Sequence, residues 1–531
     1  MNVNAIIMAA GTSSRFAPLS YEKPKGLLKV KGEILIERQI RQLQEAGIKD
    51  ITIVVGYKAK LFRYLEKEYG VTLVLNEDYN HYNNTSSVIR IIDKLDNTYI
   101  CSSDNYFPQN VFLETPTVSY YSALWAEGET NEYCLTVDAE DNIIKVDVGG
   151  RDSWYMVGHV FFNREFSQQF REIMNREYAA EETKLGYWED VYVRYIDQLP
   201  KMKIHRYNPH DIEEFDSLAE LREFDVEYVN NTGSSIFKNI CKILACEERD
   251  ICDIVVLKNG MTNSSFRFTN TKDGIKYVYR HPGEGTDAFI KRESEYFSMQ
   301  VAKELGLDST FVYMHPTEGW KISKFIEDAQ ILDYHNPTEL QEALSLLSSL
   351  HQANIQSAYP YRLWDQANDF INKLVAIKKD DSADFYELRS RIEQIYNYAQ
   401  SDGWPECLNH CDALAANFLI DTNSPPQQKR MTLIDWEYSG QGDTAQDLGS
   451  FIACSDMSYE EALHAIELYL SHKPSKEELR HYLAYTAIAS YCWYLWAIYQ
   501  EANGIDTGDF LNMWYKYTYQ YSDIAQKLYT N

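Results

Sequence analysis

"MAAGTSSRFAPLSYEKPKGLLKVKG", residues 8–32, decides the fold of the first half of this chain. It begins at the end of the short apolar run "NAIIMAAG", which reads as a buried strand running into a turn at Gly11. Such a turn leaves backbone N–H groups free to cradle an anion. Arg15 and Lys25 then supply positive charge, and Pro18 and Pro24 stiffen the loop that carries them. Charge stabilisation by a preorganised loop is most of what phosphoryl and nucleotidyl transfer require.

Outward from this loop, strand-like and helix-like runs alternate. "LIERQIRQLQEAG" (35–47) is an amphipathic helix closed by Gly47, and "KLFRYLEKEYG" (60–70) is a second helix. "DITIVVGY" (50–57), "VTLVL" (71–75) and "NTYICSSD" (97–104) read as strands. The alternation predicts βαβ units, a mostly parallel sheet and ligands at the carboxyl ends of its strands. The small polar residues of "VNNTGSSIF" (229–237) predict a linker between domains at 1–228 and 238–531. Beyond it, "DIVVLKNGMTNSSFRFTN" and "IKYVYRHPG" read as antiparallel strands, after which the chain turns mainly helical from about residue 286. "DTNSPPQQKR" (421–430) reads as a hairpin loop.

A formal net charge of −28 over 531 residues offers no general basic face for phosphate backbones, so nucleic acid is not an expected partner. The nine cysteines include no C-x-x-C pair, and the amino-terminal residues lack the pattern of a signal peptide, so the expected compartment is the cytoplasm. One uncharged run, Tyr482 to Gln500, contains "YCWYLWAIYQ". Its Thr486, Ser490 and five tyrosines do not make a membrane span, and Trp493 and Trp496, at i and i+3, share one helix face.

The string Gly11-x-x-x-Arg15-Phe16-x-Pro18-Leu19 followed by Pro24-Lys25-x-Leu27 resembles the signature of the sugar-phosphate-type nucleotidyltransferases. The resemblance implies a Rossmann-like α/β domain that joins a nucleoside triphosphate to a phosphorylated substrate. Ala10, Gly11, Thr12, Ser13 and Ser14 would wrap the triphosphate, and Arg15 and Lys25 would act on its phosphate oxygens. Asp104 would hold Mg²⁺, with Ser102 standing where the family commonly has another carboxylate. The second metal ligand would come from Glu189 or Asp190, or from Glu214 or Asp216, taken in the order Glu189, then Asp216. "NEDYNHYNNTSSV" (76–88), "NEY" (131–133) and "GYWED" (186–190) resemble the bacterial CTP:phosphocholine cytidylyltransferases. That implies base contacts from Asn83, Thr85 and Ser86, and rings for a trimethylammonium group from Tyr133, Trp154, Tyr187 and Trp188.

The second half carries "LNHCDALAANFLIDTN" and "MTLIDWEYSG". Asp412, Asn417 five residues on, and Asp435 after a hydrophobic strand form an ordered set of acid, amide and acid. Phosphoryl transfer needs a carboxylate to take the proton of an attacking hydroxyl and oxygen ligands for Mg²⁺. Asp412 fits the first role, and Asn417 and Asp435 the second. With "IDWEYSGQGDTAQDLGSF" (434–451), the pattern resembles the choline/ethanolamine kinases among the aminoglycoside phosphotransferase-like enzymes, a bilobal, protein-kinase-like α+β fold. Thr262 and Asn263 would lie over the nucleotide, Arg280 would take the place of a phosphate-binding lysine, and Glu295 would be its helix-borne partner. The resemblance places Trp493 and Trp496 around a quaternary ammonium, completed by Trp436, Glu437 or Tyr438, with Asp456 or Glu460 adding charge. Together the resemblances imply a bifunctional transferase: choline and ATP give phosphocholine, which with CTP gives CDP-choline and pyrophosphate. Ethanolamine or a sugar remains the alternative substrate.

Overall fold

The computed structural model describes every residue except Met1, 260–262, 284–285, 287–289, 381–383, 424–429 and Asn531. The chain divides into two compact units, Met1–Val256 and Leu257–Asn531. The segment expected as a linker lies within the first unit, where Ser234 caps the helix Ser235–Leu244 by accepting from Phe237 N–H.

In the first unit a seven-stranded sheet is built from β1 (Asn4–Ala9), β2 (Ile51–Val55), β3 (Thr72–Leu75), β4 (Thr98–Ser102), β5 (Tyr120–Val137), β6 (Ile143–Phe162) and β7 (Lys203–Arg206). Its order is β7-β5-β6-β4-β1-β2-β3. β1 pairs in parallel with β2 and β4, whereas β6 runs antiparallel to both β4 and β5. Successive residues of β1 face opposite cores: Ala5, Ile7 and Ala9 pack with Ile36, Ile40 and Leu43 of the helix Leu35–Glu45, while Ile6 packs with Val54, Ile100 and Phe162. A strand buried on both faces reads as continuous apolar sequence, which is why β1 and β2 were legible. The long hairpin of β5 and β6 was not. Its outer half is largely exposed and its register shifts repeatedly, so no sustained apolar alternation marks it. β4 lies beside β1 on the side away from β2, so the sheet reverses direction of growth there and opens a crevice at the carboxyl ends of β1 and β4.

A five-stranded sheet follows, of β8 (Ile251–Asn259), which begins before the Val256 boundary, and of β9 (Asn263–Asn270), β10 (Ile275–Pro282), β11 (Phe311–Met314) and β12 (Lys321–Lys324) in the second unit, in the order β8-β9-β10-β12-β11. β10 runs antiparallel to β9 and β12, and the helix Arg292–Glu304 connects β10 to β11. Helices then dominate, but short strands persist past residue 286. Glu406–Asn409 pairs with Gly440–Asp443, and Phe418–Ile420 with Met431–Leu433 across the predicted hairpin loop. The helix Ala445–Ala453 is buried along its whole length and crosses the 27-residue helix Lys476–Ala502. Gly449 makes that crossing possible, because a Cβ there would meet the Tyr485 carbonyl at 2.7 Å. Among the described residues no helix is long and apolar enough to cross a membrane.

The crossing sets a prediction. Gly449→Ala forces two packed helices apart at backbone atoms, and overpacking of this kind costs about 1–3 kcal/mol. Urea unfolding of the full chain should show the second unit destabilised by that amount.

Candidate functional site

In the first unit, the crevice at the ends of β1 and β4 holds a cavity of about 250 Å³ lined by Ala10, Gly11, Ser13, Lys25, Asn83 and Asp104, among others. Lys25 is almost buried, 2.9 Å from Asp104 Oδ2, with its ammonium 5.0 Å from the centre of the Phe16 ring. Gly26 lets the loop approach closely: a Cβ there would stand 3.0 Å from Ser103, the residue before Asp104. Asp104 Oδ1 is buried without a hydrogen-bond partner. Arg15 reaches across to Asp216 at 3.1 Å. Glu214 sits beside Asn105, to which β-pairing joins it. Dense surrounding protein, and then the charge of Asp104, push its carboxyl up to about 7. Asp104, Glu214 and Asp216 are thus the acidic side of the crevice and Lys25 and Arg15 its basic side.

Glu189, expected as a metal ligand ahead of Asp216, has other neighbours. It accepts from Asn84 Nδ2 and Tyr121 Oη, each at 3.2 Å, with Asp190 beside it, so Glu214 replaces it as the carboxylate next to Asp104. Burial pushes Glu189 up to about 7. Three other expectations change. Thr85 and Ser86 are fully buried, donating to the carbonyls of Lys184, Gly186 and Asn83; they pin the Asn83–Asn84 turn, and the neighbouring hydroxyl that lines the cavity is Ser87. Trp188 is core, stacked on Tyr121 at 5.9 Å and edge-on to Phe162 and Phe170. Thr12 and Ser14 do not line the cavity. Tyr187 is exposed, and Tyr133 donates to Asp190 at 2.7 Å, which leaves both rings near the two acids. Trp154 packs edge-on against Trp125 on the hairpin.

In the second unit, Asn417 Nδ2 donates to the Asp412 carbonyl at 2.8 Å and to its Oδ2 at 3.0 Å. Burial, then the charge of Asp435, push the Asp412 carboxyl up to about 7. His410 accepts from Asp412 N–H at Nδ1 and bonds the Ile434 carbonyl through Nε2, so one neutral ring ties the Asp412 turn to the residue before Asp435. Both Cys411 and Asp435 have φ of +67°, a conformation side chains other than glycine adopt at a cost. Asp447 holds the first of these turns: its two oxygens accept from His410 N–H at 2.7 Å and Cys411 N–H at 2.6 Å, and His351 lies 3.0 Å away. Burial alone raises its pKa, but these donors keep Asp447 below the usual carboxylate range. Asp447 and His351 carry no local signal: Asp447 accepts from backbone N–H groups more than 35 residues away in sequence, and His351 bonds the Asp447 carboxylate from still farther along the chain.

Arg280 and Glu295 form the expected pair, 2.6 Å apart and buried. Arg292 and Lys321 also lie 3.6 Å from Glu295, so three cations surround it, of which Lys321 was unforeseen. Arg280 also lies 3.9 Å from Asp435 and 3.6 Å from Glu437. Arg280, Lys321 and Asp435 close one end of a cavity of about 560 Å³ whose other walls include Leu257, Val278, Phe325 and Ile326. Asn263 donates to Glu437 at 2.8 Å, so Glu437 faces the arginine and not the tryptophans. Trp436 is fully buried, donating to Leu433 and packing on His410. Tyr438 does border Asp412, together with Tyr361. Trp493 and Trp496 are joined by a third indole, Trp514, at centroid distances of 6.1–6.3 Å. Asp456 accepts from Tyr517, and Glu460 is exposed. Thr262 lies outside the described residues.

Among the described residues no group of three or more His, Cys, Asp or Glu is arranged to hold a metal ion. Mg²⁺ needs fewer, taking one or two carboxylates plus substrate phosphates. The unpartnered buried Oδ1 of Asp104 beside Glu214 and the half-exposed Asp435 near Asn417 fit that demand for oxygen donors. Because Asp412 is protonated below about 7, kinase-type kcat/KM should fall about tenfold per unit as pH drops through that value, measured as a pH–rate profile.

Residues 254–527 match the model of the choline/ethanolamine kinase family, and residues 5–128 that of the MobA-like NTP transferase domain. A 2-aminoethylphosphonate cytidylyltransferase of Lancefieldella rimae is 36% identical over 43% of this chain and 93% of its own length. A choline-phosphate cytidylyltransferase of Streptococcus pneumoniae is 32% identical over 42% of this chain and 97% of its own. The crystal structure of choline kinase LicA from Streptococcus pneumoniae covers 55% of this chain and 97% of its own, with 24% identity and a TM-score of 0.44.

Proposed function

We propose consecutive phosphoryl and cytidylyl transfers for this chain, which belongs over residues 254–527 to the choline/ethanolamine kinase family and over its first unit to the cytidylyltransferases. The second unit phosphorylates choline with ATP, and the first couples phosphocholine with CTP to give CDP-choline and pyrophosphate. The observation that carries the reading is the setting of Asp412: a carboxylate with its pKa near 7, tied to Asn417 and bordered by Tyr361 and Tyr438.

In the kinase step the choline hydroxyl attacks the γ-phosphorus of ATP while Asp412 takes the hydroxyl proton. Arg280, oriented by Glu295, and Lys321 bind phosphate oxygens. In the transferase step a phosphate oxygen of phosphocholine attacks the α-phosphorus of CTP, and Lys25 and Arg15 offset the charge on the leaving pyrophosphate. Asn417 and Asp435 in one site, and Asp104 with Glu214 in the other, would hold Mg²⁺, which when bound would further neutralise phosphate charge. Tyr133 and Tyr187, beside Glu189 and Asp190, receive the cationic headgroup in the first unit. This site is also where 2-aminoethylphosphonate would compete with phosphocholine, since both present a cation a short chain away from an acidic phosphorus group.

The test is mass spectrometry of products after incubating the pure protein with ATP, CTP, Mg²⁺ and one of choline, ethanolamine or 2-aminoethylphosphonate. CDP-choline formed from choline is the expected outcome. Phosphocholine without CDP-choline, or a cytidylylated product from 2-aminoethylphosphonate alone, would overturn the cytidylyl half of the reading.

A further inference from the structure

The inference concerns how the second unit chooses its nucleotide, and it rests on the kinase reading of that site. Arg280, Lys321 and Asp435 mark the phosphate end of the cavity of about 560 Å³. Leu257 and Val278 from the five-stranded sheet, with Leu419 and Ile434 beside Asn417 and Asp435 in sequence, supply apolar walls for a base. β12 runs from Lys321 to Lys324, so at ~3.3 Å per residue its far end lies about 10 Å from Lys321. There Lys324 N–H donates to the Thr310 carbonyl at 2.8 Å, which places the segment 308–310 at the base end. Asp308, Thr310 and Ser323 line that end with polar side chains.

Asp308 is only 4% exposed and firmly held. Its Oδ1 accepts from Thr310 N–H at 2.8 Å and from Thr310 Oγ1 at 2.6 Å, with Thr432 Oγ1 at 3.5 Å from the same oxygen. On either side of it, Leu433 N–H donates to the Leu307 carbonyl at 2.9 Å and Ser309 N–H to Thr432 Oγ1 at 2.9 Å. These bonds tie the turn to the strand Met431–Leu433, which leads to Asp435. Every donor goes to Oδ1: among the described residues Oδ2 makes no hydrogen bond and Asp308 no salt bridge. A nearly buried acceptor left open on a ligand cavity is satisfied by a donor of the ligand, or at a cost by none. Adenine carries an amine at its 6-position, whereas guanine and hypoxanthine carry a carbonyl there, and acceptor facing acceptor satisfies neither. We propose that Asp308 is a specificity-determining residue for the phosphoryl donor: its Oδ2 accepts from the 6-amino group of adenine, so the second unit selects adenine nucleotides over those with a carbonyl at that position.

The experiment measures phosphocholine formed by the full chain from choline and Mg²⁺ with either ATP or inosine triphosphate, which carries a carbonyl in place of the amine. The wild type should favour ATP in kcat/KM by at least ~10-fold, the scale of a hydrogen bond to a carboxylate. Asp308→Asn keeps Oδ1 for Thr310 and turns Oδ2 into an amide donor of the same size. It should lower the ATP-to-inosine ratio at least ~10-fold, by a gain for inosine triphosphate as well as a loss for ATP. Loosening of the turn alone would lower both rates and leave the ratio where it was. If the asparagine prevents folding, Asp308→Ser keeps the bond to Thr310 N–H, because a serine hydroxyl makes the same kind of turn, but it has no second oxygen. In that variant the ratio should fall towards unity. Equal use of both nucleotides by the wild type overturns the proposal, and so does an unchanged ratio in a folded variant. No phosphocholine with either nucleotide removes the kinase reading itself, and the proposal with it.

Discussion

The carboxylate of Asp447 fixes the chemistry of the second unit. A turn that carries Cys411 at φ of +67° would relax if nothing opposed it, and Asp412 would leave its place. Asp447 opposes it by accepting two consecutive backbone N–H groups, and His351 orients it from the other side, itself hydrogen-bonded to Tyr469. All of this is buried, where hydrogen bonds to a charged acceptor are strong and their loss is costly. The helix that carries Asp447 is fixed by the Gly449 crossing, so a packing constraint in the core is transmitted to the position of Asp412.

The first unit solves a similar problem with different means. There the charged pair itself, Lys25 with Asp104, forms where the loop passes close to Ser103 at Gly26 and where the parallel neighbours β1 and β4 end at the same level. Before a nucleotide arrives, Lys25 is held by Asp104 and Arg15 by Asp216. The cations are therefore positioned in advance, and the repulsion among Asp104, Glu214 and Asp216 is the natural demand for a divalent cation.

What was legible in the sequence follows from range. Strands buried on both faces, the glycine-rich loop and the spacing from Asp412 to Asn417 are local patterns, and the fold brings Lys25 beside Asp104 and Asn417 onto Asp412. Glu214 could not be ranked above Glu189 from sequence, because its place beside Asp104 comes from pairing between Glu213–Glu214 and Asn105–Tyr106, over a hundred residues apart. The resemblances place Trp188 and Trp436 against ligands, yet in the structure each is packing that holds a neighbouring group still. Trp188 fills the core under Glu189, and Trp436 supports His410. Conversely, Trp514 joins Trp493 and Trp496 from a separate helix, and nothing in its local sequence marks it.

If one chain holds two independent catalytic centres acting in sequence, single substitutions separate the half-reactions. Lys25→Ala and Asp412→Asn would each be assayed for phosphocholine from choline and ATP, and for CDP-choline from supplied phosphocholine and CTP. Lys25→Ala should retain only the first activity and Asp412→Asn only the second. A folded variant of either kind that loses both activities would contradict that independence.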